Sequence, residues 1–277
     1  RLSGAPNNKI YWNYTGLGLS ASFATLLRPN QGNGIDVIDS SGNQIGGTLS
    51  TQRNVVSGNA LDGIVLTGEG STSNTVAGNY IGLSETGATD LGNTGNGVTI
   101  IDGASGNSVF GTAGTASVIA GNGGYGVLIT DVGTNANQVY RNYIGLNAGG
   151  NAARKNDKGG VLVRDNASNN QIGLPGQGNT ISGNGGYGVA FGRTTVGYTA
   201  ISGVACGQTL PGYTALYSNP VAANLIGLNA LGTVALENSL GGVLVGDGAN
   251  SNAIGGAGSA RNVIAGNGGA GVTISGT

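Results

Sequence analysis

The chain has 277 residues, a formal net charge of −1 and only 8% charged residues. That balance excludes the basic footprint of a nucleic-acid binder and the cationic patch of a protein held on anionic lipid, and no run approaches the ~18 apolar residues of a spanning helix. Histidine is absent and Cys206 is the single cysteine, which removes Ser/His and Cys/His nucleophile pairs, the commonest metal ligand and any internal disulfide; no metal or cofactor is expected.

In chain order, residues 1–32 carry no repeat signal and are expected to form an N-terminal cap or assembly segment. They hold Tyr11, Trp12, Tyr14 and Phe23, and the stretch Ser20 to Leu27, stopped before Pro29, reads as a short helix or irregular coil closing one end. From Asn33 onward a mark of the type Asn-x-Val/Ile or Asn-Gly-Val/Ile recurs at Asn33, Asn54, Asn74, Asn96, Ser117, Asn137, Gly159, Asn179, Asn219, Gly241 and Asn262. Its steps are 21, 20, 22, 21, 20, 22, 20, 40, 22 and 21 residues. A near-constant period of that size without a helical apolar pattern is a solenoid signature. The block Asn74 to Leu83 returns 63 residues later at Asn137 to Leu146, and again at Asn219 to Leu228. Residues 33–277 are therefore expected to be a solenoid of about 12 coils of about 21 residues, three coils to each 63-residue unit, roughly 55–60 Å long at ~4.8 Å per coil.

Each coil supplies short alternating strands, such as Gly63 to Leu66 and Gly126 to Ile129, with Gly and Asn at the corners, where a positive φ is tolerated. The inward set is expected to include Val56, Ile64, Val76, Ile81, Val98, Val109, Ile119, Val127, Val139, Ile144, Ile181, Val189, Ile254, Ile264 and Val272. A side-chain amide both donates and accepts, so Asn54, Asn59, Asn74, Asn79, Asn122, Asn142, Asn184 and Asn267 are expected to stack as a ladder between coils. Residues 192–218 break the period and are expected to be a loop on one face, with Tyr198, Cys206 and Tyr213 as candidate lateral contacts.

The sequence resembles the right-handed parallel β-helix repeat family, most of all the Asn/Gly-rich repeats of large secreted bacterial surface proteins, in which blocks like Gly78 to Leu83 (GNYIGL) and Gly121 to Val127 (GNGGYGV) are frequent. The resemblance runs from about Asn33 to Thr277, the insertion excepted. It implies an all-β, right-handed parallel β-helix and an extracellular or cell-surface location, and says little about activity, since that fold hosts many functions.

The remaining residues are weighed for chemistry. Asp39, Asp102, Asp165 and Asp247 share one repeat position; three coils apart, about 14 Å, they are too distant for paired-carboxylate glycoside hydrolysis at ~5–9.5 Å, and turn stabilisation is the expected role. The Gly123 to Val127 run begins like a calcium roll but places Leu128 at the aspartate position. Arg154-Lys155-Asn156-Asp157-Lys158 is the one charged cluster, expected as a solvated turn with binding of an acidic glycan as the sharper alternative; Arg164 and Asp165 are further candidates for such binding, and with Asp157 come nearest to a calcium site, which is not expected. Tyr80 and Tyr143 are expected to pack rather than to stack on sugars.

The chain starts at Arg1 without methionine and stops after an open strand, Gly271 to Ile274; a processed chain or a segment of a longer one is expected. The function expected first is a non-catalytic extracellular structural or adhesive rod. It would continue into further repeats or self-associate end to end, with Tyr11, Trp12 and Tyr14 covering Val272 and Ile274 of a neighbour, and with surface glycans as further partners. The runner-up is a lyase, hydrolase or glycan-binding β-helix acting on acidic polysaccharide. Two or three acids with an Arg or Lys on adjacent coils of one face would discriminate them.

Overall fold

A computed structural model describes residues 1–19, 25–112, 114–192, 218–246 and 249–275. It is a parallel β-helix, in which every coil runs through three sheets in turn. Among the described residues sheet A contains nine parallel strands, from Leu2–Ser3 through Ile35–Ile38, Ile64–Thr67, Val98–Ile101, Tyr125–Ile129, Gly159–Val163, Tyr187–Phe191 and Gly241–Val245 to Val272–Ile274. Sheet B contains six, from Lys9–Ile10 to Gln171–Ile172, and is prolonged by parallel bridges at Val221 and Ile254. Sheet C contains eight, from Tyr14–Thr15 to Val263–Ile264. The only helical turns among the described residues are the 3-10 segments Ser50–Gln52 and Gly258–Ala260, and no helix there is long and apolar enough to cross a membrane.

The β-helix matches the expected fold class, but its coils are longer and fewer than the sequence period suggests. The residues in register down sheet A are Ile35, Ile64, Val98, Val127, Val161, Val189, Val243 and Val272, so successive coils take 29, 34, 29, 34, 28, 54 and 29 residues. One short and one long coil make the 63-residue unit, which therefore holds two coils and not three. The marks taken as coil starts stand in sheets A, C, B, A, C, B and so on, each step of about 21 residues advancing two-thirds of a turn. Among the described residues, eight complete coils and the start of a ninth give a rod of roughly 40 Å, shorter than the length expected above.

Residues 1–15 place one strand in each sheet, pairing with Val37–Ile38, Gln44–Ile45 and Val55–Val56, so a coil precedes Asn33. Leu17–Leu19 and Thr25–Leu27 pair antiparallel. The C-terminal part of the expected helix or irregular coil is thus strand, because two extended segments laid side by side satisfy each other's backbone groups. Residues 20–24, Phe23 among them, lie outside the described residues.

Alternation decides what faces inward. Val37, Ile45, Val56, Ile64, Val76, Ile81 and their counterparts from coil to coil form one continuous apolar core, each side chain worth about 1.5–3 kcal/mol when fully buried. Of the expected inward set, Ile254 and Ile264 pack against this core while partly exposed, and Val272 on the last strand is 43% exposed.

Long and short coils differ in where their extra residues go. Coils 3, 5 and 7 add a hairpin after sheet C, closed by antiparallel bridges Leu83↔Asp90, Leu146↔Ala153 and Leu228↔Ala235. These hairpins touch one another directly across the intervening coil: Ala148 N–H donates to the Gly87 carbonyl at 2.9 Å and Ala230 N–H to the Gly150 carbonyl at 2.8 Å. Even-numbered coils instead lengthen the corner between sheets B and C, as at residues 47–53 and 173–179. Two columns of loops thus flank sheet C. On odd coils the same B–C corner is turned by a single left-handed residue, Trp12, Gly78, Arg141 or Ala223.

Candidate functional site

Three asparagine ladders run along the rod, one at each corner. The first, between sheets A and B, links Asn8, Asn43, Asn74, Asn107, Asn137, Asn170, Asn219 and Asn252. The second, between B and C, links Asn13, Asn54 and Asn79, then Asn142, Asn179, Asn224 and Asn262. The third, between C and A, links Asn30, Asn59, Asn93, Asn122, Asn156, Asn184, Asn238 and Asn267. All eight asparagines picked out from sequence sit in these ladders, but in three of them rather than one. In each link Nδ2 donates to Oδ1 of the next coil toward the C-terminus, at 2.7 to 3.4 Å. Most also donate to a backbone carbonyl of the preceding coil, as Asn74 does to Ser40 and Asn142 to Val109. The corner amides therefore satisfy backbone groups that the bend between sheets would otherwise strand.

The second ladder is interrupted at Ser117, whose short side chain cannot span the coil. The consequence is local: among the few buried side-chain atoms without a hydrogen-bond partner are Ser117 Oγ and Asn142 Oδ1. Ser117→Asn is expected to bridge Asn79 and Asn142 and to raise stability by about 1–2 kcal/mol, read as an upward shift of the urea midpoint at unchanged m. A lowered midpoint would mean that the site has no room for an amide.

The candidate glycan-binding residues stand in two separate places. Arg154 belongs to the hairpin of coil 5, where its Nε donates to the Ala88 carbonyl of coil 3 at 2.7 Å and stands 3.5 Å from Asp90. Lys155 pairs with Asp157 at 3.1 Å, and Lys158 follows on the same corner. Arg164 and Asp165 stand at the far end of strand Gly159–Val163, with Arg164 Nε 3.1 Å from Asp165 Oδ2 but outside hydrogen-bond geometry. Tyr80 is buried, as expected for packing, and Tyr143 half-buried.

The coil count also changes the reading of the acids. Asp102 and Asp165 are two coils apart, and Asp131, missed in the repeat because its coil is of the other length, stands between them at the same corner. Three carboxylates thus occupy successive coils about 4.8 Å apart, beside Arg164. Burial pushes the Asp131 carboxyl up, the Thr130 hydroxyl opposes that, and the carboxylates of Asp102 and Asp165 add to it. Thr67 donates to Asp102 at 2.8 Å and Thr130 to Asp165 at 3.2 Å. Among the described residues no three acidic or Cys side chains converge as a metal site. Asp247 lies outside the described residues, as do Tyr198, Cys206 and Tyr213.

The aromatic N-terminal residues face sideways, along the flank of the rod. Tyr11 donates to Gln44 Oε1 on the outer side of sheet B at 2.5 Å. Tyr14 donates to Glu85 Oε2 in the hairpin of coil 3 at 2.6 Å; this bond, with burial and the Glu85 charge, pushes its hydroxyl pKa up to about 12. Trp12 is 64% exposed. What the first coil offers axially is Leu2 and Ile10, both packed on the core, and the ladder residues Asn8 and Asn13. At the other end Val272 and Ile274 are 43% and 80% exposed, and Asn252 Nδ2 is buried without a partner.

No family model, no curated protein and no solved structure matches this chain.

Proposed function

We propose that this chain is a non-catalytic, extracellular structural and adhesive rod of the kind found in secreted surface proteins, whose end coils accept a further coil from the same or a neighbouring chain. The observation that carries the reading is the polarity of the ladders. Every amide chain runs donor-to-acceptor in one direction, so one end presents donors without acceptors, Asn252 Nδ2 among them. The other presents Asn8 and Asn13, whose Oδ1 atoms have no donor among the described residues. Ends of opposite kind are complementary, and ends of the same kind are not. Such a contact is heterologous and propagates into a filament rather than closing as a dimer, with little charge to oppose it.

The test is electron microscopy of the purified chain beside Val272→Lys. Val272 continues the inward line of Val243, so a lysine there sets a charge on the open core end, a device that protects sheet edges. The wild type is expected to form rods in multiples of roughly 40 Å, and the variant single rods of the same fold. A wild type that stays monomeric at high concentration, or fibres undiminished by the lysine, overturns assembly.

A second reading, a carbohydrate-active β-helix on acidic polysaccharide, is favoured by the stacked Asp102, Asp131 and Asp165 with Arg164, which meets the discriminating pattern set out from sequence. One-coil spacing is that of a retaining carboxylate pair, about 5–5.5 Å. It ranks second because threonine hydroxyls engage all three acids, Thr67 on Asp102 and Thr130 on both Asp131 and Asp165. Oligosaccharide released from a uronate polymer by the wild type and not by Asp165→Asn would put it first.

A further inference from the structure

Where the two loop columns flank the start of sheet C they enclose a cleft of about 120 Å³ lined by Trp12, Tyr14, Ser50, Arg53, Val55 and Glu85. We propose that this cleft binds one anionic pyranose unit, the apolar face of the sugar ring lying on the Trp12 indole and its carboxylate or sulfate held by Arg53. The inference deepens the adhesive part of the function proposed above and rests on it.

Four features converge. Trp12 projects 64% exposed from the flank, a flat apolar surface beside polar groups. It does so from a left-handed backbone, φ 61°, at a corner where coil 3 has Gly78. A Cβ in that conformation costs about 1–2 kcal/mol, and such outliers cluster at ligand clamps. The Arg53 guanidinium lies 3.9 Å from the centre of the Tyr80 ring, with its Nε donating to the Gly78 carbonyl at 3.2 Å. That arrangement fixes the plane of the fork and leaves the terminal donors for a ligand. Arg53 has no ion-pair partner among the described residues, whereas the one carboxylate in the cleft, Glu85, already accepts from Tyr14. The cleft therefore carries one charge of each sign on separate residues, neither in an ion pair among the described residues, and the anionic substituent is directed to Arg53 through charge-assisted bonds. Ser50 and Glu85 remain at the rim for ring hydroxyls.

Trp12 is the only tryptophan in the chain, so its fluorescence reports on this cleft alone. The experiment titrates the full chain with methyl glucuronide, galactose 6-sulfate and neutral galactose. Using the Val272→Lys background keeps end-to-end assembly out of the readout. Each anionic sugar is expected to give a saturable change in emission, with galactose at least about ten-fold weaker, and Arg53→Gln is expected to bring the anionic sugars to the galactose level. Raising salt should weaken only the anionic sugars. If only one of the two anions binds, it names the substituent. If Arg53→Gln does not fold by circular dichroism, Arg53→Lys, which keeps the charge without the fork, is expected to bind several-fold more weakly. No saturable response to either anion, galactose binding as well as they do, or unaltered binding by the Arg53 variants overturns the proposal. Sugar binding without rods would sink assembly alone, and rods without sugar binding would sink this inference alone.

Discussion

Asn122→Leu is expected to destabilise the rod by about 2–6 kcal/mol, because it keeps the shape of the side chain and removes its polarity. Asn122 is fully buried and donates to Asn156 Oδ1 at 2.9 Å and to the Ile81 and Ala120 carbonyls at 3.3 Å. Its own Oδ1 accepts both Nδ2 and the backbone N–H of Asn93, at 2.9 and 3.3 Å. A leucine strands at least two buried donors of the neighbouring coil, each costing about 1–3 kcal/mol. The same exchange at Asn250, which is exposed, is expected to be nearly neutral. The two variants are compared by urea unfolding; equal midpoints would show that the ladder contributes no stability.

Gly82→Ala is expected to cost about 3 kcal/mol or more, from a single added methyl group. Gly82 turns the chain out of sheet C with φ +91°, and a Cβ there collides with the Ala120 carbonyl oxygen and the Asn122 side-chain amide of the next coil. Neither can retreat, since Ala120 is held by its N–H to the Ile81 carbonyl and Asn122 by its ladder. Gly106 provides the control: its φ is +63° and nothing stands within 4 Å of the place that a Cβ would take. Gly106→Ala should therefore cost only the backbone part, about 1–2 kcal/mol. Thermal melts of the two variants separate conformational strain from crowding, and equal losses would place the crowding elsewhere.

Most of the fold is legible in the sequence because solenoid packing repeats the same local chemistry. A Val or Ile following Asn is a strand entering the core, and the tripeptide Tyr80-Ile81-Gly82 already encodes an outward residue, an inward residue and a left-handed exit. Coil length is not legible in the same way. Three corners of one coil carry nearly the same Asn-strand signal, so the eye fixes on the best-matching copies, which happen to stand two-thirds of a turn apart. Asn43, Asn107 and Asn170 escape notice because no second Asn follows five residues later, where Thr48, Thr112 and Pro175 stand, and Asn93, Asn156 and Asn238 because a hairpin shifts their spacing. Asp131 is hidden for a related reason: alternation of long and short coils displaces it from the 63-residue copy of Asp102. The cleft is beyond any periodic reading. Tyr14 and Glu85 are 71 residues apart in sequence and are joined by loop columns that bypass a coil.

Those columns also set how a molecule of this kind can change in length. Hairpins of alternate coils already touch each other across the coil between them, leaving no space for a third at half the distance. Gain or loss of a single coil would bring two hairpins onto adjacent levels and shift every later loop to the wrong flank. The smallest unit that can be duplicated or deleted while preserving the exterior is a pair of coils, which is the unit that the 63-residue copy carries.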